Sequence, residues 1–361
     1  MAEIKVSNLT KIYEHKNIFG KVKGETLALK NVSLTIPDGS FFCLLGESGS
    51  GKTTLMRILA GVTDYDEGDV YINKIPAETL SQKEKDMTMV SQNYALLPFK
   101  TVYENIAEPL RMLGESYDQI VEKIENVAEL LGISEILTRK PRQLSGGEQQ
   151  RVAIARALVR DADINFFDEP LSNLEADKRD DLVNDFKKIK KKKNSTFVYA
   201  THSLSEALML GDQIAILENG ELLSSGEPDA LMKKPKNVKT FSFLHPDDGI
   251  LLPLVAVNGH FSAEGIAFDK SDMPDGKYLV GITSDELRES PDGFHARIAN
   301  SVFENGSFEN RFDKIDFTIQ GMFKSLDPRK NGEEVILSVK GDSLPVFNAV
   351  TGSFAFLAKI G

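Results

Sequence analysis

The chain has 361 residues, of which 41% are hydrophobic and 27% are charged, and its formal net charge is −11. This length exceeds one ordinary domain and predicts two, with enough apolar residues for a proper core. The acidic balance argues against general nucleic-acid binding, which needs a basic surface. The single cysteine, Cys43, excludes an internal disulfide framework, and its apolar neighbours favour a buried structural thiol.

The sequence gives no sign of a targeting or membrane-spanning segment. The stretch "MAEIKVSNLTKIYEH" at the start lacks the apolar centre of a signal peptide. The apolar stretch "ILLPLVAV" at 250–257 is far shorter than the roughly 20 residues that a membrane helix needs. We therefore expect a soluble protein. If it serves a membrane process, it does so from the cytoplasmic side with a separate partner.

The first two-thirds of the chain alternates strand-like and helix-like segments. Fully apolar strands are predicted at "SFFCLLG" (40–46), "DINFFDEP" (163–170) and "STFVYATH" (195–202). Helical patterns such as "KTTLMRILAG" and "GEQQRVAIARALVR" lie between them. Continuous apolar strands separated by helices indicate a parallel sheet that is covered on both faces.

After about residue 240 the pattern changes to short β-rich segments broken by turn residues, which predicts a small all-β barrel or sandwich. The stretch "MKKPKNVK" at 232–239 is interpreted as the linker. The lysine run "KKIKKKK" at 187–193 is interpreted as the solvated end of a helix, where lysines suit the dipole. Nucleic-acid or lipid binding by this run is the alternative.

The stretch "GESGSGKTT" matches the phosphate-binding pattern G-x-x-x-x-G-K-[ST] between a predicted strand and a predicted helix. Glycines let backbone N–H groups approach phosphate oxygens, and the following helix adds its positive dipole end. The spacing assigns Lys52 to the β- and γ-phosphates and Thr53 to Mg²⁺. The residues expected to bind the nucleotide are Gly46, Glu47, Ser48, Gly49, Ser50, Gly51, Lys52, Thr53 and Thr54.

The stretch "INFFDEP" is an apolar strand that ends in two adjacent carboxylates, Asp168 and Glu169. Side chains alternate along a strand, so these two are expected to point in different directions. Asp168 is predicted to join the Mg²⁺ shell, and Glu169 to polarise an attacking water. Taken alone, the pair could simply open a turn before Pro170.

The stretch "LSGGEQQR" at 144–151 predicts a second phosphate-binding helix start. Ser145 is a good N-cap, and Gly146 and Gly147 leave backbone N–H groups open. The chain has only one P-loop lysine to accompany these two sites. The second site makes sense if it serves a nucleotide that is held by another copy of the protein.

With these motifs the chain resembles the ATPase subunits of ABC transporters over essentially its whole length. The stretch "LSGGEQQR" is similar to the signature motif of that family, which implies nucleotide contacts from Ser145, Gly146, Gly147 and Glu148. The resemblance implies an α/β P-loop NTPase domain at 1–238 with a parallel-sheet core and a helical subdomain at about 93–162. A small all-β, OB-like (TOBE) barrel is expected to follow at 239–361.

The same resemblance implies roles for residues that, taken alone, would indicate no function. Tyr13 is similar in position to the aromatic residue that stacks on adenine. Gln92 resembles the Q-loop glutamine that joins the Mg²⁺ and water shell, and His202 resembles the switch histidine that contacts the γ-phosphate. In the stretch "LSNLEAD", which resembles the D-loop, Glu175 stands where the family usually has aspartate.

The β-rich tail narrows the resemblance to importers of the maltose type. The stretch "VGITSDEL" at 280–287 is similar to a "GIRPE" stretch in their accessory barrel, although Thr283 and Ser284 replace the usual Arg-Pro. The stretch "DSLPVFNAVTG" resembles the closing pattern of the same barrel. The resemblance implies a peripheral protein on the cytoplasmic face of the membrane, bound to integral-membrane permease subunits. An extracytoplasmic solute-binding protein would be an indirect partner.

The resemblance further implies that two copies, or one copy and a closely related subunit, sandwich two MgATP molecules and open after hydrolysis. We expect the solute to be a sugar or sugar derivative, with a polyamine, iron or an inorganic anion as alternatives. A soluble ABC protein that acts on ribosomes or DNA is disfavoured, because the chain has one cassette and no sustained heptads. No nucleic-acid partner is expected.

Overall fold

The computed structural model describes residues 2–16, 22–91, 94–172, 176–257, 260–262, 274–304, 307–314, 320–339 and 343–358. The chain divides into two compact units, the first ending at Pro228 and the second beginning at Asp229. The first unit mixes helices and strands, whereas the second is mainly β. Within the described part of the chain, no helix has both the length and the apolar character needed to cross a membrane.

Strands and helices alternate along the first unit. Its strands are β1 (Ile4–Lys16), β2 (Val22–Ile36), β3 (Phe41–Leu45), β4 (Glu67–Ile72), β5 (Ile75–Pro76), β6 (Met87–Val90), β7 (Ile164–Asp168), β8 (Thr196–Thr201), β9 (Gln213–Glu218) and β10 (Glu221–Gly226). Its helices are α1 (Lys52–Leu59), α2 (Gln82–Lys85), α3 (Val102–Met112), α4 (Tyr117–Leu130), α5 (Gly146–Leu158), α6 (Ala176–Lys192) and α7 (Leu204–Leu210).

The strands of this unit form two sheets. One is antiparallel with the order β2-β1-β4-β5, and the other has the order β10-β9-β3-β8-β7-β6. The second sheet is parallel from β9 to β6, with β10 antiparallel at its edge. The predicted parallel sheet is thus confirmed.

The central strands β3, β7 and β8 are buried along their whole length because apolar groups cover both faces. On one face Phe42 and Phe166 share a core with Leu55 of α1. On the other face Phe186 of α6 packs edge-on against Phe167, with ring centroids 5.0 Å apart. Alternation along each strand therefore divides one apolar run between two cores.

The register of the parallel strands brings their carboxyl ends together. Leu45 at the end of β3 lies beside Thr201 of β8, and Asp168 at the end of β7 lies beside Ala200. The segments that follow these strands therefore start at one edge of the sheet, which is where ligands bind in open α/β sheets.

The described helices α3, α4 and α5 span 102–158, inside the interval of 93–162 in which a helical subdomain is predicted. Each begins with a capping box. The three pairs are Thr101 with Glu104, Ser116 with Gln119, and Ser145 with Glu148. Each box satisfies two backbone donors, the amides of the cap residue and of the third helical residue, and fixes where the helix begins.

The second unit contains two short helices and two antiparallel sheets. Its elements are α8 (Pro228–Lys233), α9 (Val238–Leu244), β11 (Ile250–Val257), β12 (His260–Ser262), β13 (Gly276–Ile282), β14 (Leu287–Glu304), β15 (Ser307–Lys314), β16 (Gln320–Ser325), β17 (Glu334–Val339), β18 (Leu344–Asn348) and β19 (Phe354–Ala358). The sheet orders are β12-β11-β13-β18-β19 and β16-β15-β14-β17, and both sheets contribute to one apolar core. This confirms the predicted fold class, an α/β domain followed by a small β domain.

The boundary between the units differs from the one expected at 238/239, since the second unit begins at Asp229. Residues at 232–239 do not form a free linker, because their backbone pairs with the β unit. The Val238 amide donates to the Gly352 carbonyl at 2.9 Å, and the Phe354 amide donates to the Lys236 carbonyl at 2.9 Å.

The lysine run lies at the C-terminal end of α6, as predicted. Several of its members are paired with carboxylates of the same unit. Lys188 lies 3.1 Å from Asp185, and Lys190 pairs with Asp212. A basic helix end with local partners agrees with a solvated, dipole-compatible role.

Candidate nucleotide-binding site

The loop between β3 and α1 ends in a residue that only glycine suits. Gly51, the N-cap of α1, has φ 106°, and a Cβ there would lie 2.8 Å from the Ala28 carbonyl oxygen. Glycine is therefore required by both conformation and space. Because glycine has no side chain to cap the helix, the first N–H groups of α1 are open to an anion.

The start of the loop is held against two strands. The Gly46 amide donates to the Thr201 carbonyl of β8 at 3.3 Å, and a Cβ on Gly46 would lie 2.3 Å from the Leu217 carbonyl oxygen of β9. Residues 47–49 form the exposed tip, Ser50 is buried, and Thr54 is half-buried in α1. The loop thus has an anchored base and a tip that faces solvent.

Lys52, the first residue of α1, is only 3% exposed. Its Nζ donates to the carbonyl oxygens of Gly46 at 2.7 Å and Glu47 at 2.9 Å, and lies 3.4 Å from Oε1 of Glu169. A buried ammonium needs such partners to offset its desolvation. The loop therefore carries a fixed positive charge directly beneath its backbone.

Thr53 and Asp168 meet across the ends of α1 and β7. The Thr53 hydroxyl donates to Oδ1 of Asp168 at 3.0 Å. Burial raises the pKa of Asp168, although the Thr53 hydrogen bond acts in the opposite direction. The described residues contain no cluster of three or more His, Cys, Asp or Glu side chains suited to a metal. A hydroxyl and one carboxylate fit Mg²⁺, which usually keeps waters and phosphate oxygens as its other ligands.

Glu169 leaves the end of β7 in a conformation that is uncommon for a residue with a Cβ, with φ 46°. Its amide donates to the Ala200 carbonyl at 3.0 Å. Its carboxylate lies between two cations or potential cations, 3.4 Å from Lys52 Nζ and 3.8 Å from Nδ1 of His202. The two carboxylates therefore make different contacts. Strand alternation alone does not explain this, because Glu169 follows the last residue of β7 and has left the strand conformation.

His202 stands in the short turn between β8 and α7 and is half exposed. The hydroxyls of Tyr199 and Thr201 both donate to the buried Glu206, at 2.9 and 2.8 Å. Glu206 is not among the residues predicted from the sequence. The signal that could have identified it is its place three residues after the N-cap Ser203, in the stretch "THSLSEA".

Tyr13 lies on β1 with its ring partly exposed, and Lys11 Nζ is 5.5 Å from the ring centroid. In the register with β2 it faces Thr26. Two residues further along β2, the Ala28 carbonyl borders Gly51. The ring is thus carried by the sheet that flanks the phosphate-binding loop.

The cap of α5 is a separate group of residues. The Ser145 amide donates to the Glu148 carboxylate at 2.7 Å, which lowers the pKa of Glu148, and Arg139 lies 3.6 Å from the same carboxylate. Ser145 and Gly146 are exposed, Gly147 is half-buried, and a Cβ on Gly146 would meet nothing within 4 Å. A second, connected group is formed by Lys52, Thr53, Asp168, Glu169 and His202.

Gln92 and Glu175, which the sequence analysis singled out, lie outside the described residues.

Arg156 on α5 is a further residue that was not predicted from the sequence. Its guanidinium donates to the carbonyls of Tyr94 at 2.8 Å and Ala95 at 2.7 Å. Burial lowers the pKa of Arg156. This side chain connects α5 to the segment that follows β6.

Similarity to known proteins extends over most of the chain. The family model described as "ABC transporter" matches residues 29–172. The trehalose/maltose import ATP-binding protein of Thermococcus litoralis is 43% identical over 365 residues, covering 93% of this chain and 97% of the relative. The Fe(3+) ions import ATP-binding protein of Fusobacterium nucleatum is 34% identical over 366 residues, covering 95% and 93%.

A solved structure also resembles part of this chain in fold and sequence. It is a dimeric ATP-binding cassette in a post-hydrolysis state bound to ADP and Pi, with a TM-score of 0.56 and 31% identity. The similarity covers 62% of this chain and 98% of that one. Since the loop at 46–54, the carboxylate pair and the α5 cap all lie within the matched family region, the chain belongs to the ABC transporter family as one of its ATP-hydrolysing, ATP-binding proteins.

Proposed function

We propose that this ATPase energises the import of a sugar or sugar derivative through a separate membrane permease. The observation that carries the proposal is a sequence identity of 43% to a trehalose/maltose import protein, over an alignment that covers 93% of this chain and so includes the mainly β second unit. The relative named for iron import is 34% identical over a similar length. Iron is therefore the second candidate, and it would leave the ATPase mechanism unchanged.

ATP is the substrate of the site at the carboxyl ends of β3, β7 and β8. The open N–H groups of α1 and the loop backbone bind its phosphates, and Tyr13 stacks on the adenine. Lys52 Nζ exchanges the carbonyl oxygens of Gly46 and Glu47, now at 2.7 and 2.9 Å, for phosphate oxygens. A buried Ser50 hydroxyl, without a hydrogen-bond partner among the described residues, leaves further polar capacity in the loop.

Magnesium would be held by the Thr53 hydroxyl and Asp168, with Gln92 as a further ligand. The 3.0 Å contact between the two oxygen atoms supports this assignment, because both side chains already point to one place. When bound, the ion neutralises charge on the phosphate oxygens. A nearby cation also favours the ionised form of Asp168, whose pKa burial raises.

Glu169 orients the attacking water and accepts its proton, while His202 steadies the γ-phosphate. The position of the Glu169 carboxylate between Lys52 and His202 supports these roles. Water forms a bond to the γ-phosphorus as the bond from that phosphorus to the β–γ bridging oxygen breaks. ADP and inorganic phosphate are the products.

A second copy, or a closely related subunit, completes each site. The start of α5, at Ser145, Gly146, Gly147 and Glu148, supports this. Ser145 and Gly146 face solvent, and the capping box uses the amides of Ser145 and Glu148 but not those of Gly146 and Gly147, which can therefore bind an anion. ATP held between the loop of one subunit and the cap of the other stabilises the closed dimer. Hydrolysis removes that link, so the nucleotide has the differential affinity that a conformational change requires.

The permease docks beside the segment that Arg156 holds. A cleft of about 340 Å³ there is lined by apolar side chains that include Leu97, Pro109 and Met112. Phe99, in the same connection, is 88% exposed. Exposed apolar side chains around a cleft are typical of a protein-docking surface. Docking places the ATPase on the cytoplasmic face of the membrane, with a solute-binding protein acting on the opposite face.

The test is transport-coupled hydrolysis in proteoliposomes that contain the copurified permease and its solute-binding protein. We expect maltose or trehalose to raise MgATP hydrolysis, whereas Fe³⁺ and a polyamine leave it unchanged. Glu169→Gln should retain ATP binding and lower kcat by about 10²–10⁴-fold, as loss of a general base does. The exposed Glu135→Gln is the control. Stimulation by Fe³⁺ alone would replace sugar with iron, and normal hydrolysis by Glu169→Gln would refute the assigned base.

A further inference from the structure

A buried carboxylate of α7 has no part in the hydrolysis scheme above. Glu206 is 5% exposed, and its Oε2 accepts hydrogen bonds from the Tyr199 hydroxyl at 2.9 Å and the Thr201 hydroxyl at 2.8 Å. Burial and the neighbouring Glu206 raise the pKa of Tyr199, so that its hydroxyl remains a donor. Burying a carboxylate is costly unless it is paired and hydrogen-bonded, so this arrangement strongly constrains the groups around it.

These hydrogen bonds reach both neighbours of His202. The Thr201 hydroxyl that donates to Glu206 also accepts from the Ser203 amide at 3.0 Å. The Ser203 hydroxyl in turn accepts from the Glu206 amide at 3.3 Å. Both neighbours of His202 are therefore connected to Glu206. Thr201 bonds the Glu206 carboxylate directly, and Ser203 is connected through its amide, which donates to Thr201, and through its hydroxyl, which accepts from the Glu206 amide.

His202 itself has little direct support. Its side chain is 51% exposed, and its ion-pair contact is Glu169 at 3.8 Å. Because this long contact is its one ion pair among the described residues, the exposed imidazole depends on its backbone for orientation. The turn at 201–203 therefore decides where the ring points.

Glu206 also connects this turn to α6. Nε of Arg179, in the first turn of that helix, lies 3.7 Å from Oε1 of Glu206. The guanidinium balances the charge of the buried carboxylate. One carboxylate thus joins the end of β8, the start of α7 and the start of α6.

We propose that Glu206 is a positioning residue for ATP hydrolysis, which holds the turn at 201–203 so that His202 faces the γ-phosphate. This inference rests on the proposed role of His202. The carboxylate does not touch ATP, so it changes the rate of the chemical step while leaving nucleotide affinity in place.

Three substitutions separate positioning from support of the fold. Glu206→Gln removes the charge, and Thr201→Val removes the hydroxyl that connects Glu206 to the Ser203 amide. Both should lower kcat by about tenfold or more and change the Kd for ATP less than about twofold. Tyr199→Phe removes a hydrogen bond to the same carboxylate without breaking the connection to the turn. It should lower the Tm as the other two do, with kcat within about twofold of wild type.

A merely structural role predicts instead that kcat follows the Tm across all three variants, and that result would overturn the proposal. If Glu206→Gln does not fold, the comparison of kcat with Tm can still be made with Thr201→Val and Tyr199→Phe. The second measurement is a double-mutant cycle with His202→Ala. If Glu206 acts through His202, Glu206→Gln should change the remaining kcat by less than about twofold in that background.

Equal losses from Glu206→Gln with and without His202 would show that the carboxylate acts independently of the imidazole. Failure of the underlying function gives a different result. If His202→Ala alone left kcat unchanged, the role of His202 would be wrong, and the positioning role of Glu206 would fail with it.

Discussion

At the scale of single residues, Asp168 combines a cost to stability with a role in binding. Burial raises its pKa, so the folded protein keeps the proton at pH values where the unfolded chain has lost it. The free energy of unfolding therefore falls as the pH rises from the ordinary aspartate range through the raised pKa, and the deficit persists above it. We expect Asp168→Asn to raise the Tm at neutral pH and to flatten this dependence, while Mg²⁺-dependent hydrolysis is lost. Calorimetry between pH 4 and 7 measures both effects on stability.

Asp66 supplies a control of opposite sign. The Ile12 amide, followed by Lys11, lowers its pKa, so the ionised form of Asp66 stabilises the fold and this contribution is lost as the pH falls. Asp66→Asn should therefore lower the Tm at neutral pH. A lower Tm for Asp168→Asn as well would mean that the contacts of Asp168 outweigh its burial.

At the scale of elements, Arg156 connects α5 to the segment after β6, and both line the proposed permease cleft. Its guanidinium donates to two successive carbonyls, of Tyr94 and Ala95, and both residues have positive φ, 55° and 46°. Arg156→Met keeps an apolar stem and removes both hydrogen bonds. We expect faster amide hydrogen exchange at 94–97 and a loss of several-fold in permease-stimulated hydrolysis, with basal hydrolysis within about twofold of wild type.

Arg160→Met is the matched control for this substitution. Arg160 follows α5, lines the same cleft and pairs with Asp86 and the Met87 carbonyl, so its loss affects the cleft at the start of β6 and leaves the hydrogen bonds to Tyr94 and Ala95 in place. Unchanged exchange at 94–97 in Arg156→Met would show that other contacts hold the segment. Equal loss of stimulation in both variants would point to a general weakening of the cleft.

Local sequence patterns predicted the elements that carry their own signal. The runs of β3, β7 and β8 are mainly apolar because the strands are buried on both faces, and Gly46 and Gly51 stand where the backbone comes too close for a Cβ. The motifs singled out Thr53, Asp168 and Glu169, and the family resemblance added His202. The structure places Thr53 beside Asp168, and Glu169 beside Lys52 and His202, whereas the roles given to these residues stay predictions.

The features that sequence analysis did not predict depend on contacts between distant segments. Residues 232–239 have the composition of a linker, yet their backbone pairs with Gly352 and Phe354, more than a hundred positions away. Arg156 is one of two arginines on α5, and only the folded chain shows that Tyr94 and Ala95 are its partners. Composition and periodicity describe an element's own burial, and they do not identify its partners.

At the scale of the whole molecule, the proposed function requires two chains for each hydrolytic site. Lys52→Ala removes the buried ammonium of the loop, and Ser145→Arg blocks the exposed cap of α5. Each variant alone should be inactive, because every site of its homodimer carries the defect. In a mixed dimer, the loop of the Ser145→Arg chain faces the intact cap of the Lys52→Ala chain. One intact site is then restored, while the other carries both defects.

An equimolar mixture of the two variants should therefore regain roughly a quarter of wild-type hydrolysis, since half of randomly formed dimers are mixed and each has one intact site. The measurement is phosphate release at saturating MgATP, and each variant mixed with itself gives the baseline. If one chain held a complete site, Ser145→Arg would hydrolyse ATP at the wild-type rate without any partner. That result would show that ATP hydrolysis does not need the N–H groups at the start of α5. The proposal that these groups bind the nucleotide of a second chain would then be wrong.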